Sequence, residues 1–334
     1  MKRVSGGVAL GIALAIALVA DLGLDHVVAD SSVRQLLMLV ACNMVVALSL
    51  NVINGMAGQF SIGHAGFLAL GAYTSAIVSS HVHLLFGGGE PTFARSFVVV
   101  PVALVSGAIV AGAFGFLVGL PSLRLRGDYL AIVTLGFAET VRLVIATSQA
   151  NAKGGFLGFV AKLGGQTGYA GPGGDGVPLY AGPFWIFGIT AISALIAWRL
   201  KFSGWGRKLR ALREDEIAAA SVGVDPTRTK VTAFVLSAAG GGIAGGMLAI
   251  MRDGTPIVQP DTFGFQATFD AVTMVILGGS GSVTGVMIGS VVVTLSVKAI
   301  ELLQATDVVQ AFKADYESLD LNALRTMIYA AILI

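Results

Sequence analysis

Phe97-Val-Val-Val-Pro-Val-Ala-Leu-Val-Ser-Gly-Ala-Ile-Val-Ala-Gly-Ala-Phe-Gly-Phe-Leu-Val-Gly-Leu120 carries no charged side chain. As a helix this run is about 36 Å long, enough to cross a hydrocarbon core of about 30 Å. Similar runs predict further spans at Val4–Ala20, Gln35–Ile53, Ile62–Ser79, Tyr129–Thr147, Pro183–Leu200 and Val231–Ile250. A shorter pair follows, Phe269–Gly279 and Val283–Ile300, split by Gly278-Gly279-Ser280-Gly281. A last run opens near Leu321, and its fourteen residues to Ile334 are too few to span, so the final helix is expected to be cut short. The first run follows Lys2 and Arg3 like a signal peptide, but Leu18 before Ala20 makes a poor cleavage site. An uncleaved first helix is expected.

Composition points the same way. Apolar residues make up 55% of the 334 and charged residues 12%, about half the ~25% charge of a soluble domain. Mean hydropathy is +0.83. Too little charge is present to cover a water-exposed surface, so the fold class is an all-α polytopic membrane protein. About eight long transmembrane helices are expected, plus the short broken or re-entrant pair, within a single domain over residues 1–334. A net charge of +2 excludes a strongly basic nucleic-acid binder. Cys42 is the only cysteine, which excludes an intrachain disulfide, and His26, His64, His81 and His83 lack zinc spacing. No metal or cofactor is implied.

Basic residues orient the chain. Eight of the 21 lysines and arginines fall between Arg199 and Lys230, which makes the loop 201–230 cytoplasmic. Arg124 and Arg126 mark a second cytoplasmic loop, and the acidic stretch Asp21–Asp30 faces outward. Within the large loop, Gly206–Asp225 reads as one short helix lying outside the membrane. Glu214, Asp215 and Glu216 sit near its start, where the helix dipole favours negative charge. Ala219 lies among good helix formers, and Gly223 closes the helix. Asp225-Pro226 then caps and starts the next span. Such a helix is either a rigid mechanical handle or a basic loop that only satisfies the charge rule.

Two glycine-rich segments, Gly55–Gly71 and Gly278–Gly289, interrupt the apolar pattern. Unpaired backbone is intolerable against lipid, so broken helices must be buried in protein or line a cavity. Paired interruptions in a transporter point to a pathway near the midplane. Gln59, Ser61, His64, Thr134 and Ser280 are the pathway candidates on that reasoning. The stripe Gly281, Gly285, Gly289 reads as helix packing. His64 can equally be hydrogen-bonded structure. Glu139 and Arg142 interrupt another run, with Glu139 about 15 Å deep. Three residues apart on one helix face, they are expected to pair, although Glu139 is also a candidate contact for a zwitterionic solute. Asp270 is placed near the membrane surface, with no role attached to it.

Four blocks together are specific: Asn54–Tyr73, Leu123–Glu139, Gly206–Lys230 and Val275–Ser282. In them the chain resembles branched-chain amino acid ABC transporter permeases of the LivM type. The resemblance covers residues from about 40 to 334 and implies an ABC importer permease fold. It further implies a multi-pass protein of the bacterial inner membrane, not an enzyme, carrying branched-chain amino acids or small polar solutes such as urea or amides. The implied partners are a sister permease, two cytoplasmic ABC ATPase subunits and a periplasmic solute-binding protein. By the same resemblance the basic loop is the coupling helix, with Arg213, Glu214, Asp215, Glu216, Ala219 and Gly223 meeting the ATPase. The family's signature places Gly six residues after Glu; here Glu216 and Gly223 are seven apart, with Ile217 interposed.

Other readings have less support. Gly171-Pro-Gly-Gly-Asp-Gly176 satisfies G-x-G-x-x-G, but no strand precedes it and Pro172 lies within it. It matches the family's outer loop, with Gly where Ser is usual. No P-loop and no catalytic constellation occurs. The alternative class is a stand-alone ion-coupled secondary transporter, for which Glu139 is the only titratable candidate.

Overall fold

The computed structural model describes residues 30–122, 128–148 and 163–304, with isolated positions at 11, 19, 21 and 23. The expected first span, the run from Leu321 and the loop of Arg124 and Arg126 fall outside these residues. The helices in chain order are α1 (Ser31–Asn51), α2 (His64–Leu85), α3 (Phe93–Ser122), α4 (Asp128–Ala146) and α5 (Pro183–Phe202). They continue with α6 (Gly204–Glu214), α7 (Glu216–Ser221), α8 (Pro226–Ala249), α9 (Phe265–Gly278) and α10 (Val283–Gln304). Among the described residues, seven helices are long and apolar enough to cross a membrane: α1 to α5, α8 and α10.

Helix starts follow local chemistry. Asp30 accepts from the Ser32 amide at 2.8 Å to cap α1. As the sequence predicts, Asp225 accepts from the Arg228 amide at 3.0 Å and Pro226 occupies the first turn of α8. The α8 helix forms the centre of the bundle, against α1, α2 and α3. Its run Gly240-Gly-Gly-Ile-Ala-Gly-Gly246 lets backbones touch: a Cβ on Gly71 would overlap the Gly242 carbonyl. In lipid such packing, not water exclusion, holds helices together. Outer faces carry exposed Ile109, Leu117, Ile132, Ile196 and Ile288, as lipid contact requires.

Two expectations change. The stretch Gly206–Asp225 is two helices, because Asp215 is extended (φ −152°, ψ 116°) and spends its carboxylate capping α7. The broken pair is unequal: α9 has 14 residues, whereas α10 has 22 and is a full span. Of the glycine stripe, Gly285 and Gly289 are packing, since a Cβ on Gly285 would overlap the Gly278 carbonyl and one on Gly289 that of Met274, whereas Gly281 lies before α10 in the turn, at φ +83°.

The connection between α8 and α9 is tied down at the side of the bundle opposite the basic loop. Arg34 pairs with Asp253 at 2.6 Å, and the Tyr73 hydroxyl donates to the Val258 carbonyl at 2.8 Å. Tyr169 and Val258 exchange backbone hydrogen bonds of 2.9 and 3.0 Å. Gly171–Gly176 forms a turn on this side and opens no helix.

Candidate functional site

The first interruption begins where α1 widens into a π turn, Val52–Met56. Its end is closed by Ala57 N–H to Val52 O (3.1 Å) and Gln59 N–H to Ile53 O (3.0 Å). The chain then runs without helix to His64. Its backbone groups find side-chain partners, as burial demands. Asn54 accepts from the Ser61 amide and donates to the Ser61 carbonyl, both at 3.1 Å. Thr134 on α4 accepts from the Ile62 amide at 3.2 Å. His64 Nε2 lies 2.8 Å from Ser49 Oγ, and Ser49 already donates its proton to the Val46 carbonyl. The imidazole and the Ser49 hydroxyl therefore share a hydrogen bond that ties His64 to α1.

Four pathway candidates thus converge on one crossover: Gln59 is 9% exposed, Ser61 3%, His64 2% and Thr134 0%. None of the four lines the cavity beside Arg213 or the cleft between α1, α9 and α10. Ser61 and Thr134 fix broken backbone, and His64 ties the start of α2 to α1. Gln59 Oε1 is buried without a hydrogen-bond partner among the described residues.

The second interruption, between α9 and α10, is built on glycine. Gly279 and Gly281 have φ of +86° and +83°, a region L-residues adopt only at a cost. Ser282 caps α10 by accepting from the Gly285 amide at 3.1 Å. The turn leans on the first interruption through Asn51. That side chain, fully buried, accepts from Gly281 N–H at 2.8 Å and donates to Ser282 O at 3.4 Å. A Cβ on Gly55 would overlap both Asn51 Oδ1 and Gly281 N, so the two breaks meet at a glycine.

The basic loop reaches the same point. Leu209 and Leu212 of α6 are buried. Leu209 packs in one cluster with Val52 and Met56 of the π turn, Ala197 of α5, Ala233 of α8 and Val283 of α10. Arg213 donates through Nη1 to the Gly55 carbonyl at 2.6 Å. A cavity of about 320 Å³ lies at this point, lined by Arg210, Arg213, Gly55 and Ser280–Ser282 among others. The structure therefore brings Arg213 and Ser280 together, which sequence spacing did not show. Asn51 was also missed, because it is one of several amides in its uncharged run, with Gln35 and Asn43 before it and Asn54 after.

The acidic candidates in the loop divide. Asp215 accepts from the Ile217 and Ala218 amides at 2.8 and 3.0 Å, and Glu216 pairs with Lys230 at 2.7 Å. Ala219 is buried. Gly223, at φ +85°, donates to the Ala220 carbonyl while Val224 N–H reaches Ala219, a glycine-closed helix end. Glu214 faces solvent, as do two residues the sequence pattern did not single out: Ile217, 81% exposed, and Val222, 77%.

Glu139 and Arg142 do pair, as the spacing predicts. Arg142 also reaches Asp261, at 2.8 Å, in the connection before α9. The group therefore sits toward the end of α4 that lies away from the basic loop, and Glu139 is partly exposed, not sealed in the bundle.

Residues 32–334 match the family described as branched-chain amino acid transport system / permease component. The chain belongs to that family. It is 35% identical over 276 residues to the high-affinity branched-chain amino acid transport system permease protein LivM of Salmonella typhimurium, covering 75% of this chain and 60% of that protein. The Escherichia coli LivM is 35% identical over 274 residues, with the same coverage. A probable LivM of Methanocaldococcus jannaschii is 30% identical over 271 residues, covering 73% of this chain and 74% of its own length. The chain thus spans about three fifths of the length of these two LivM permeases. No solved structure matches it.

Proposed function

We propose that this chain is a permease subunit of an ATP-driven importer for branched-chain amino acids in a bacterial inner membrane. It works with a sister permease, two cytoplasmic ABC ATPases and a periplasmic solute-binding protein, contributing one half of the pore. One observation carries the reading: Arg213, at the end of the basic loop's first helix, grips the carbonyl of Gly55, where both helix interruptions meet. A push on the loop is thereby delivered to the broken helices and not only to the membrane surface.

The exposed Glu214, Ile217 and Val222 present the face that an ATPase would grasp. Asp215, Glu216, Ala219 and Gly223 stiffen the loop beneath it. Through Arg213 the motion passes to Gly55 and on to Gly281 and Ser280, which line the basic-side cavity. Gln59, Ser61, His64 and Thr134 hold the crossover as one piece beside it. An ion-coupled transporter working alone draws no support from Glu139, which is partly exposed and bound to Arg142.

Replacing Arg213 with Ala tests this. The loop keeps its caps and its Leu209 anchor, so the ATPase subunits should still copurify. Losing one charge-assisted hydrogen bond should lower solute-stimulated ATP hydrolysis about tenfold. Unchanged stimulation in reconstituted vesicles would remove the proposed link.

A further inference from the structure

The side of the bundle away from the basic loop opens into a cleft of about 440 Å³ between α1, α9 and α10, within the ~300–1,000 Å³ of small-molecule sites. Along α1 it is lined from Ser32 to Val46, about 21 Å of helix, so it runs past the middle of a ~30 Å hydrocarbon core. Its walls there are apolar, with Leu36, Leu39 and Val46 of α1 facing Met274 of α9. Its floor is polar and neutral: Asn43 donates to Thr294 at 2.9 Å. Its mouth is charged, with Asp270 on α9 and the paired Lys298 and Glu301 on α10. Asp270 is five residues from the start of its helix and Lys298 six from the end of its own, so both lie about 8–9 Å along from the open side.

Charge inside a membrane segment is costly and marks a pathway or ligand by default. Here a carboxylate and an ammonium stand on two different helices around one opening, above a branched aliphatic wall. We propose that this cleft is a binding site for an α-amino acid zwitterion. Lys298 takes the carboxylate, Asp270 takes the ammonium, and the side chain lies against Leu36, Leu39 and Met274. The inference rests on the amino acid importer reading above and adds to it a solute site inside this subunit. Glu301, bound to Lys298 at 2.9 Å, would release it as the solute carboxylate arrives.

The test uses the full chain with its partner subunits in right-side-out membrane vesicles. Cys42, fully buried, is replaced by Ala, and Ala267 at the cleft becomes the reporter as Ala267→Cys. L-Leucine should slow labelling by a membrane-impermeant maleimide about tenfold, the loss expected when a charge-anchored ligand fills a site. L-Leucinamide, which lacks the carboxylate, and isocaproate, which lacks the ammonium, should not protect. Lys298→Gln should abolish the leucine effect. Equal protection by all three compounds, protection that survives Lys298→Gln, an absence of protection at any soluble leucine concentration, or a cysteine that never labels would each overturn the site. If leucine does not protect while Arg213→Ala still uncouples hydrolysis, the cleft assignment fails and the importer reading stands. If leucine neither protects nor is taken up, the importer reading fails as well.

Discussion

The two helix interruptions do the same topological job with opposite materials. The first, from the π turn to His64, is saturated by side chains: Asn54 clasps Ser61 from both sides, Thr134 holds Ile62, and His64 is tied to Ser49. The second, Gly279 to Ser282, has two glycines at positive φ; it closes Ser282 N–H to Gly279 O at 3.0 Å itself and takes its ties to the rest of the bundle from Asn51 at the end of α1. One break is therefore tied by several side chains, from its own loop, from α1 and from α4, and the other is tied across helices through Asn51. The break with fewer side-chain ties is the one more easily released. The first reads as a fulcrum and the second as the part that turns on it.

That contrast can be broken most severely where the two meet. Gly55→Ala would drive a methyl into Asn51 Oδ1 and Gly281 N. Overpacking of this kind costs about 3 kcal/mol, and we expect a lowered melting temperature together with leucine uptake at background. Normal uptake would mean the contact is not needed. A smaller effect is expected in the turn alone. Gly281→Ala, at φ +83°, should cost about 1–2 kcal/mol, and uptake should fall while the protein still purifies with its partners. If Gly281→Ala left uptake intact, the second break would be as inert as the first. The mildest change lies inside the fulcrum. Gln59→Met removes a buried oxygen with no partner among the described residues, so its stability change should lie within about 1 kcal/mol of zero, on either side. A marked loss of uptake with unchanged melting would return Gln59 to the solute pathway.

Much of the fold was legible because lipid imposes long apolar runs, and the runs at α1 to α5 and α8 gave their helices within a few residues. Asp225-Pro226 announced the start of α8 through local chemistry. The π turn was not legible, since nothing in Val52-Ile-Asn-Gly-Met56 distinguishes a widened turn from an ordinary one. The split at Asp215 was hidden among three consecutive acids that suit a first helical turn, although Asp is also a capping residue. The meeting of Asn51 with Gly281 joins positions 230 residues apart and depends on how α1 and α10 pack. Of the pathway candidates, Gln59, Ser61, His64 and Thr134 meet at the first break while Ser280 and Glu139 lie elsewhere, and the backbone partners of the four could be seen only in three dimensions. Lys298 was not singled out and Asp270 was given no role, because neither falls in a pattern until α9 and α10 fold back against each other.

Arg34–Asp253, Arg142–Asp261 and the Tyr73 hydroxyl pin the chain just before α9, while among the described residues the turn at its other end is held across the bundle by Asn51. A rod pinned at one end converts a small sideways shift of its other, more lightly held tip into rotation. With 14 residues, α9 is about 21 Å long, so a displacement of about 2 Å at Gly278 swings it by about 5°. Because α9 is also a wall of the far-side cleft, the same swing would change the cleft's width, and half a helix would serve as a door hung from its outer edge.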